Sequence, residues 1–138
     1  MSKGSIKAIG GIFFKCEDPT AVKNWYKETL GLKTTDYGAM FESRRSTSPD
    51  EKLYLQWSPF KKDTTYMEPS KKDFMINMIV DDMEAVLEKL SQKGIEAIHR
   101  EEMEYGKFAH IMDPEGNKIE LWEPAGEGEF AENEINRS

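Results

Sequence analysis

The chain carries an internal repeat, and that repeat limits its fold more than any other property of the sequence. Ile12-Phe13-Phe14-Lys15-Cys16-Glu17-Asp18 reads as a short extended segment ending in acids, and Ile76-Asn77-Met78-Ile79-Val80-Asp81-Asp82 repeats the pattern. A helical stripe follows each copy. Val22, Trp25, Tyr26 and Leu30 fall at i, i+3, i+4 and i+8; Met83, Val86, Leu87 and Leu90 fall at i, i+3, i+4 and i+7. Placing Asp18 on Asp82 also places Ala21-Val22 on Ala85-Val86, and Gly31-Leu32 on Gly94-Ile95 after one deletion.

The helix boundaries have physical causes in both copies. Asp18 is an N-cap, with Pro19 at the first helical position where a missing N–H costs nothing. Asp81 or Asp82 caps the second helix; Asp81 would complete a capping box with Glu84. Gly31 and Gly94 supply the left-handed residue at each C-terminus. Three extended segments then follow each helix. In the first half they are 32–36, 38–43 and 52–57, with a polar insert at 44–50; in the second they are 95–100, 106–112 and 118–122. Asp113-Pro114-Glu115-Gly116-Asn117 is a strong turn signal between the last two. The expected class is therefore α+β, with two βαβββ modules at about 7–57 and 74–124, joined by a linker at 58–73. Residues 125–138 form an acidic, Gly-containing tail with little to bury, expected to be mobile.

At 138 residues the chain fits one domain, and its formal charge of -7 leaves no cationic excess for a nucleic-acid partner. Lys61-Lys62 and Lys71-Lys72 read as solvated loop charges. A single cysteine, Cys16, excludes an internal disulfide or a cysteine-based zinc cluster. Met1-Ser2-Lys3-Gly4 lacks the apolar stretch of a signal peptide, and the uncharged run from Ala8 to Phe14 is too short to span a bilayer. A cytoplasmic location with no membrane partner is the expectation, and the Asn136-Arg137-Ser138 sequon is then idle. No Walker loop, dinucleotide fingerprint, His-Glu-x-x-His motif or nucleophile elbow occurs.

A βαβββ unit repeated once, and ending in Met112-Asp113-Pro114-Glu115-Gly116-Asn117-Lys118-Ile119-Glu120-Leu121-Trp122-Glu123-Pro124, resembles the vicinal oxygen chelate superfamily. That group includes glyoxalase I, bleomycin-resistance proteins, extradiol dioxygenases and fosfomycin-resistance enzymes. The segments Gln56-Trp57-Ser58-Pro59-Phe60 and Asp63-Thr64-Thr65-Tyr66 add to the likeness, which is to the glyoxalase-like bacterial branch. The resemblance implies a single domain over 1–124 with a curved eight-stranded mixed sheet, helices on its convex side and a small-molecule ligand inside. It also implies a homodimer. Metal-using members place ligands at four positions, which fall here on Gly11, Tyr54, Met75 and Glu120. Only Glu120 is a usual ligand, so no metal or other cofactor is expected.

Strand alternation assigns the faces. Phe13 and Lys15 share one face with Gly11, Asn77 shares one with Met75 and Ile79, and Trp122 shares one with Glu120. Ile12, Phe14 and Cys16, and likewise Ile76, Met78 and Val80, lie under the helices, Cys16 as a filler rather than a nucleophile. Gln56 points inward, which turns Trp57 away to core or edge packing. If the terminal turn is 113–117, residue 112 lies opposite 118, and His110 opposite Glu120 as an acid–base pair. His99 reads as an edge histidine and Glu101, Glu102 and Glu104 as a solvated loop. The leading expectation is a metal-free binding protein. Its walls are Phe13, Tyr54, Met75 and Trp122, its polar contacts Lys15, Gln56 and Asn77, and its catalytic candidates Glu120 and His110. The alternative is a metal-dependent lyase or isomerase of the glyoxalase I type, using a divalent metal in a rearranged site around Glu120 and His110. A third reading is an interaction module that docks through the acidic tail, Glu127 to Glu134.

Overall fold

A computed structural model describes residues 3–125; the acidic tail beyond them lies outside the described residues. The elements in chain order are β1 (Ile6–Cys16), α1 (Pro19–Leu30), β2 (Ala39–Arg45), β3 (Ser48–Lys61), β4 (Phe74–Val80), α2 (Met83–Gln92), β5 (His99–Met103), β6 (Gly106–Met112) and β7 (Lys118–Pro124). They form one curved, open, mixed sheet in the order β2-β3-β1-β4-β7-β6-β5. The two halves meet at its centre, where β1 and β4 run antiparallel. Each is flanked by the last strand of its own half, β3 or β7, in a parallel pair.

The helices cover one face. Asp18 accepts from the Ala21 N–H, Pro19 opens α1, and Gly31 closes it in the left-handed region. Of the apolar stripe on α1, Val22 and Tyr26 are half-buried, whereas Trp25 and Leu30 face outward at 55% and 65% exposure. The helix is anchored mainly through Tyr26, whose ring lies 4.6 Å from that of Trp57 on β3, beside Phe14 of β1. The stripe of α2 is buried more fully. Met83 and Val86 join Val80, Ala109 and Leu121 in a core, with Leu87 and Leu90 packed against it.

Asp82, not Asp81, caps α2, accepting from the Ala85 N–H at 3.1 Å. Asp81 instead accepts from the Gly4 and Ser5 N–H groups at 2.8 and 2.9 Å, tying the chain entry to the end of β4. Glu84 is thereby released to pair with Arg100 and Lys107.

Seven strands, not eight, are present among the described residues, because 32–36 forms none. Leu32 gives its N–H to Tyr26, finishing the helix, and Thr35 and Gly38 exchange two backbone bonds across a tight turn. Nothing long enough to pair with β2 is left. Gly38 sits at φ 122, where a Cβ would fall 1.9 Å from the Trp57 carbonyl oxygen, so only glycine fits. In the second half Ile95 likewise bonds back to Leu90, and the strand is displaced to His99–Met103, taking in acids expected in a loop. The polar insert at 44–50 shrinks to a two-residue turn because β2 and β3 extend into it, and β3 runs on to Lys61.

The capping assignment has a direct test. Asp82→Ala is expected to cost about 1 kcal/mol in urea unfolding, the usual worth of an N-cap carboxylate, and Asn at the same position restores most of it.

Candidate functional site

The register across the sheet sets one row of residues on the face opposite the helices. Met40 pairs with Gln56, Gln56 with Gly11, Gly11 with Asn77, Asn77 with Glu120, Glu120 with His110, and His110 with His99. Directly paired residues point to the same side, so these side chains form a band running from one sheet edge to the other. The two glycines open its middle. At Gly10 a Cβ would meet Asn77 Oδ1 at 2.5 Å, Ile79 Cγ1 at 2.7 Å and Trp122 Cε3 at 3.0 Å. The absence of a side chain there is what lets Asn77 and Trp122 reach their places.

Glu120 is the centre of the band and is 4% exposed. Asn77 Nδ2 donates to its Oε1 at 2.7 Å, and His110 Nε2 lies 2.8 Å from Oε2, which also accepts the Tyr66 hydroxyl. Burial penalises the carboxylate charge, yet the bonds from His110, Tyr66 and Asn77 prevail, and its pKa is held below the ordinary glutamate value. Burial and the Glu120 charge push the Tyr66 hydroxyl in the other direction, so it stays a donor. The carboxylate also settles the Asn77 amide: with Nδ2 facing Glu120, Oδ1 has no partner. Lys118 stands two residues from Glu120 on the same face. Its ammonium donates to the Tyr66 carbonyl at 2.6 Å and lies 5.3 Å from the Tyr66 ring centre. Burial lowers its pKa, against the pull of Glu120 and Glu68.

A cavity of 540 Å³ opens above this band, walled by aromatic residues including Phe13, Phe60, Phe108 and Trp122. Phe108 and Trp122 stack at 6.0 Å with planes 8° apart, and Phe13 meets Phe60 at 5.4 Å. Of the residues expected at the site, Phe13, Gln56, Asn77, Glu120 and Trp122 line this cavity. His110 lies behind Glu120, where it lines a second, smaller cavity. Tyr54 packs with Ile79 and Trp122, and Met75 is buried with Phe13 and Met67; neither lines the main cavity. Lys15 does not line it either. Its backbone N–H bonds the Asp73 carbonyl, and the lysine beside Glu120 is Lys118. Among residues not singled out from sequence, Phe108 and Lys118 alternate with His110 and Glu120 and were accessible to the same face argument. Tyr66 sits in the aperiodic segment between the halves, where no periodicity marks its side chain, although the segment 63–66 is among those that carry the resemblance.

Of the four family metal positions, only Glu120 carries a usual ligand. Gly11 offers no side chain, and Tyr54 and Met75 stand off the band by two residues. No group of three His, Cys, Asp or Glu able to hold a metal occurs among the described residues. Glu120 and His110 point at each other rather than at a shared third point, and both carboxylate oxygens already accept bonds. This donor set does not fit a catalytic divalent metal, which needs about three protein ligands. Cys16 is half-buried, its thiol pKa raised by burial.

The two halves, joined at the central β1–β4 seam, form a two-module α+β fold with a cavity on the face opposite the helices. The glyoxalase-like domain family matches residues 11–122, and the chain belongs to that family. No curated protein matches it. Among solved structures, methylmalonyl-CoA epimerase from Streptomyces coelicolor, bound to 2-nitronate-propionyl-CoA, is 18% identical with a TM-score of 0.62, covering 88% of this chain and 100% of its own. The epimerase of Mycobacterium tuberculosis is 17% identical, TM-score 0.55, over 96% of each chain. A glyoxalase/bleomycin resistance protein/dioxygenase superfamily member from Vibrio splendidus is 11% identical, TM-score 0.52, over 86% and 99%. These likenesses concern the fold. No helix among the described residues is long and apolar enough to cross a membrane.

The buried pair yields two expectations. His110→Ala removes one of three donors to a buried carboxylate and is expected to cost about 2–3 kcal/mol in chemical denaturation. Because the folded pKa of Glu120 is depressed, its stabilising contribution is complete above the unfolded value, about 4.3, and is lost as pH falls through the folded one. Glu120→Gln should therefore flatten the acid limb of the stability curve below that pH while leaving its slope near neutrality unchanged.

Proposed function

We propose that this protein is a metal-free, glyoxalase-like binding protein for a small, largely apolar molecule. The observation that carries the reading is Glu120, held by Asn77, His110 and Tyr66 at the floor of an aromatic-walled cavity of 540 Å³. That volume lies within the range of small-molecule pockets, and the mixture of apolar walls with a few convergent polar groups is what such pockets use. Phe13, Phe60, Phe108 and Trp122 supply contact area; Gln56, Asn77 and Glu120 orient the ligand. Lys23 and Lys61 stand among the lining residues, opposite in charge to Asp36 and Glu120.

Binding is favoured over proton abstraction by the state of the carboxylate. A glutamate stabilised by three donors is a weak base, whereas a catalytic base is tuned toward neutrality by having its charged form destabilised. Sequestration of a ligand asks only for the pocket. The metal-dependent lyase or isomerase reading receives no support from the donor set described above.

A thermal-shift screen of divalent metals against small aromatic, acidic and thiol-conjugate ligands tests this. A ligand at about 100 times its Kd adds roughly 2.7 kcal/mol to the folded state, and Phe60→Ala should remove most of that gain. Stoichiometric, tight stabilisation by a divalent metal, lost in Glu120→Gln, would overturn the metal-free reading.

A further inference from the structure

The two side-chain amides that line the larger cavity are both fixed in orientation by what they face. Asn77 turns Nδ2 to the Glu120 carboxylate. Gln56, two strands away on β3, gives Nε2 to the Tyr37 carbonyl at 2.9 Å and to Ser58 Oγ at 3.0 Å. A carbonyl oxygen can only accept, so the reverse flip would set two acceptors against each other. Gln56 Oε1 is thereby turned away from the Tyr37 carbonyl. It has no partner among the described residues, yet it is not one of their buried unpaired atoms, which are Asn77 Oδ1 and His110 Nδ1. Gln56 is half-buried and lines the cavity, so its Oε1 is an unpaired acceptor within a ligand's reach.

Donors of the same wall are engaged within the protein. Ser58 Oγ donates to the Tyr37 carbonyl at 2.6 Å, and the Trp122 indole N–H to the Tyr105 carbonyl at 3.3 Å. The Tyr66 hydroxyl is given to Glu120, and the Lys23 ammonium to the Asp36 carbonyl at 3.0 Å. Glu120 adds acceptors rather than donors, but it is 4% exposed, and three bonds occupy most of its roughly four lone-pair sites. Of the two acceptor groups, Gln56 Oε1 is the accessible one. Lys61 ends β3 at an exposed position, where an ammonium stays hydrated.

A ligand that covers Gln56 Oε1 without donating to it strips that oxygen of water and returns nothing. An N–H or O–H in the same place replaces the lost bond. A carboxylate or carbonyl would face Oε1 acceptor to acceptor. We infer that the ligand of the larger cavity is an aromatic hydrogen-bond donor, of the indole, phenol or arylamine class, whose N–H or O–H is received by Gln56 Oε1. Phe13, Phe60, Phe108 and Trp122 hold its ring. The inference rests on the reading of this cavity as a binding pocket, and it narrows that reading to one kind of polar group.

The test is calorimetric titration of the full-length protein with indole and with benzofuran, which has the same shape but an ether oxygen in place of the N–H. Indole is expected to bind roughly tenfold more tightly, equivalent to about 1.4 kcal/mol. Gln56→Met, which keeps the side-chain length without the amide, should bring the two affinities together, chiefly by weakening indole. Benzofuran binding as tightly as indole, or a preference undiminished in folded Gln56→Met, would overturn the donor assignment and leave the pocket reading standing. Tighter binding of benzofuran-2-carboxylate than of indole, lost in Lys61→Met, would overturn it too, by placing the ligand's polar end at the lysine. No saturable binding by any of the three would overturn the pocket reading and this inference together. The comparison of indole with benzofuran on the unaltered chain decides the matter by itself if Gln56→Met does not fold.

Discussion

The antiparallel seam between β1 and β4 is the constraint on which the remaining architecture rests. Each half of the chain has a strand, a helix and a parallel partner strand, but neither half makes a pocket alone. Pairing Gly11 with Asn77 and Phe13 with Met75 joins the halves into one sheet. The same pairing aligns Gln56 on one side with Glu120 on the other. The register irregularity at Gly10, and the missing side chains at Gly10 and Gly11, let the seam pass close beneath Asn77 and Trp122.

Glu120 shows how a buried charge is retained in such a pocket. Its desolvation is offset by donors from β4, from β6 and from the segment joining the halves, so the carboxylate locks three parts of the chain to one point. Replacing the network with apolar groups could keep the fold at little cost in stability. It would also remove the buried carboxylate from the floor of the cavity. The cluster is thus an account of position and specificity more than of folding energy.

Much of the fold was legible because its signals are local. Asp18, Pro19 and Gly31 mark α1, and the period of Met83, Val86, Leu87 and Leu90 marks α2. The His110–Glu120 pairing was legible because the turn at 113–117 is spelled out by Asp113, Gly116 and Asn117, and alternation did the rest. What escaped depended on competition between local structures. Residues 32–36 are extended in character, but the helix cap at one end and the turn at Gly38 on the other consume them. Trp25 and Leu30 satisfy the helical period yet lie on a helix anchored mainly by Tyr26. Tyr66 could not be found by any period, since its hydroxyl reaches Glu120 from a segment without regular structure. Tyr54 and Met75 carry the right alternation, but alternation fixes a face and not a distance along it.

The turn at 113–117 is closed by the Asp113 side chain, which accepts from the Glu115 and Asn117 N–H groups at 2.9 and 2.8 Å. Its length is therefore a ruler. With strand side chains alternating, a single inserted residue would rotate β6 against β7 and present Ala109 and Ile111 where Phe108 and His110 now stand. The helix-side core would then receive an aromatic ring and an imidazole it has no room for. For this hairpin the number of residues between the strands decides which face of β6 meets the cavity, and Asp113 and Gly116 hold that number.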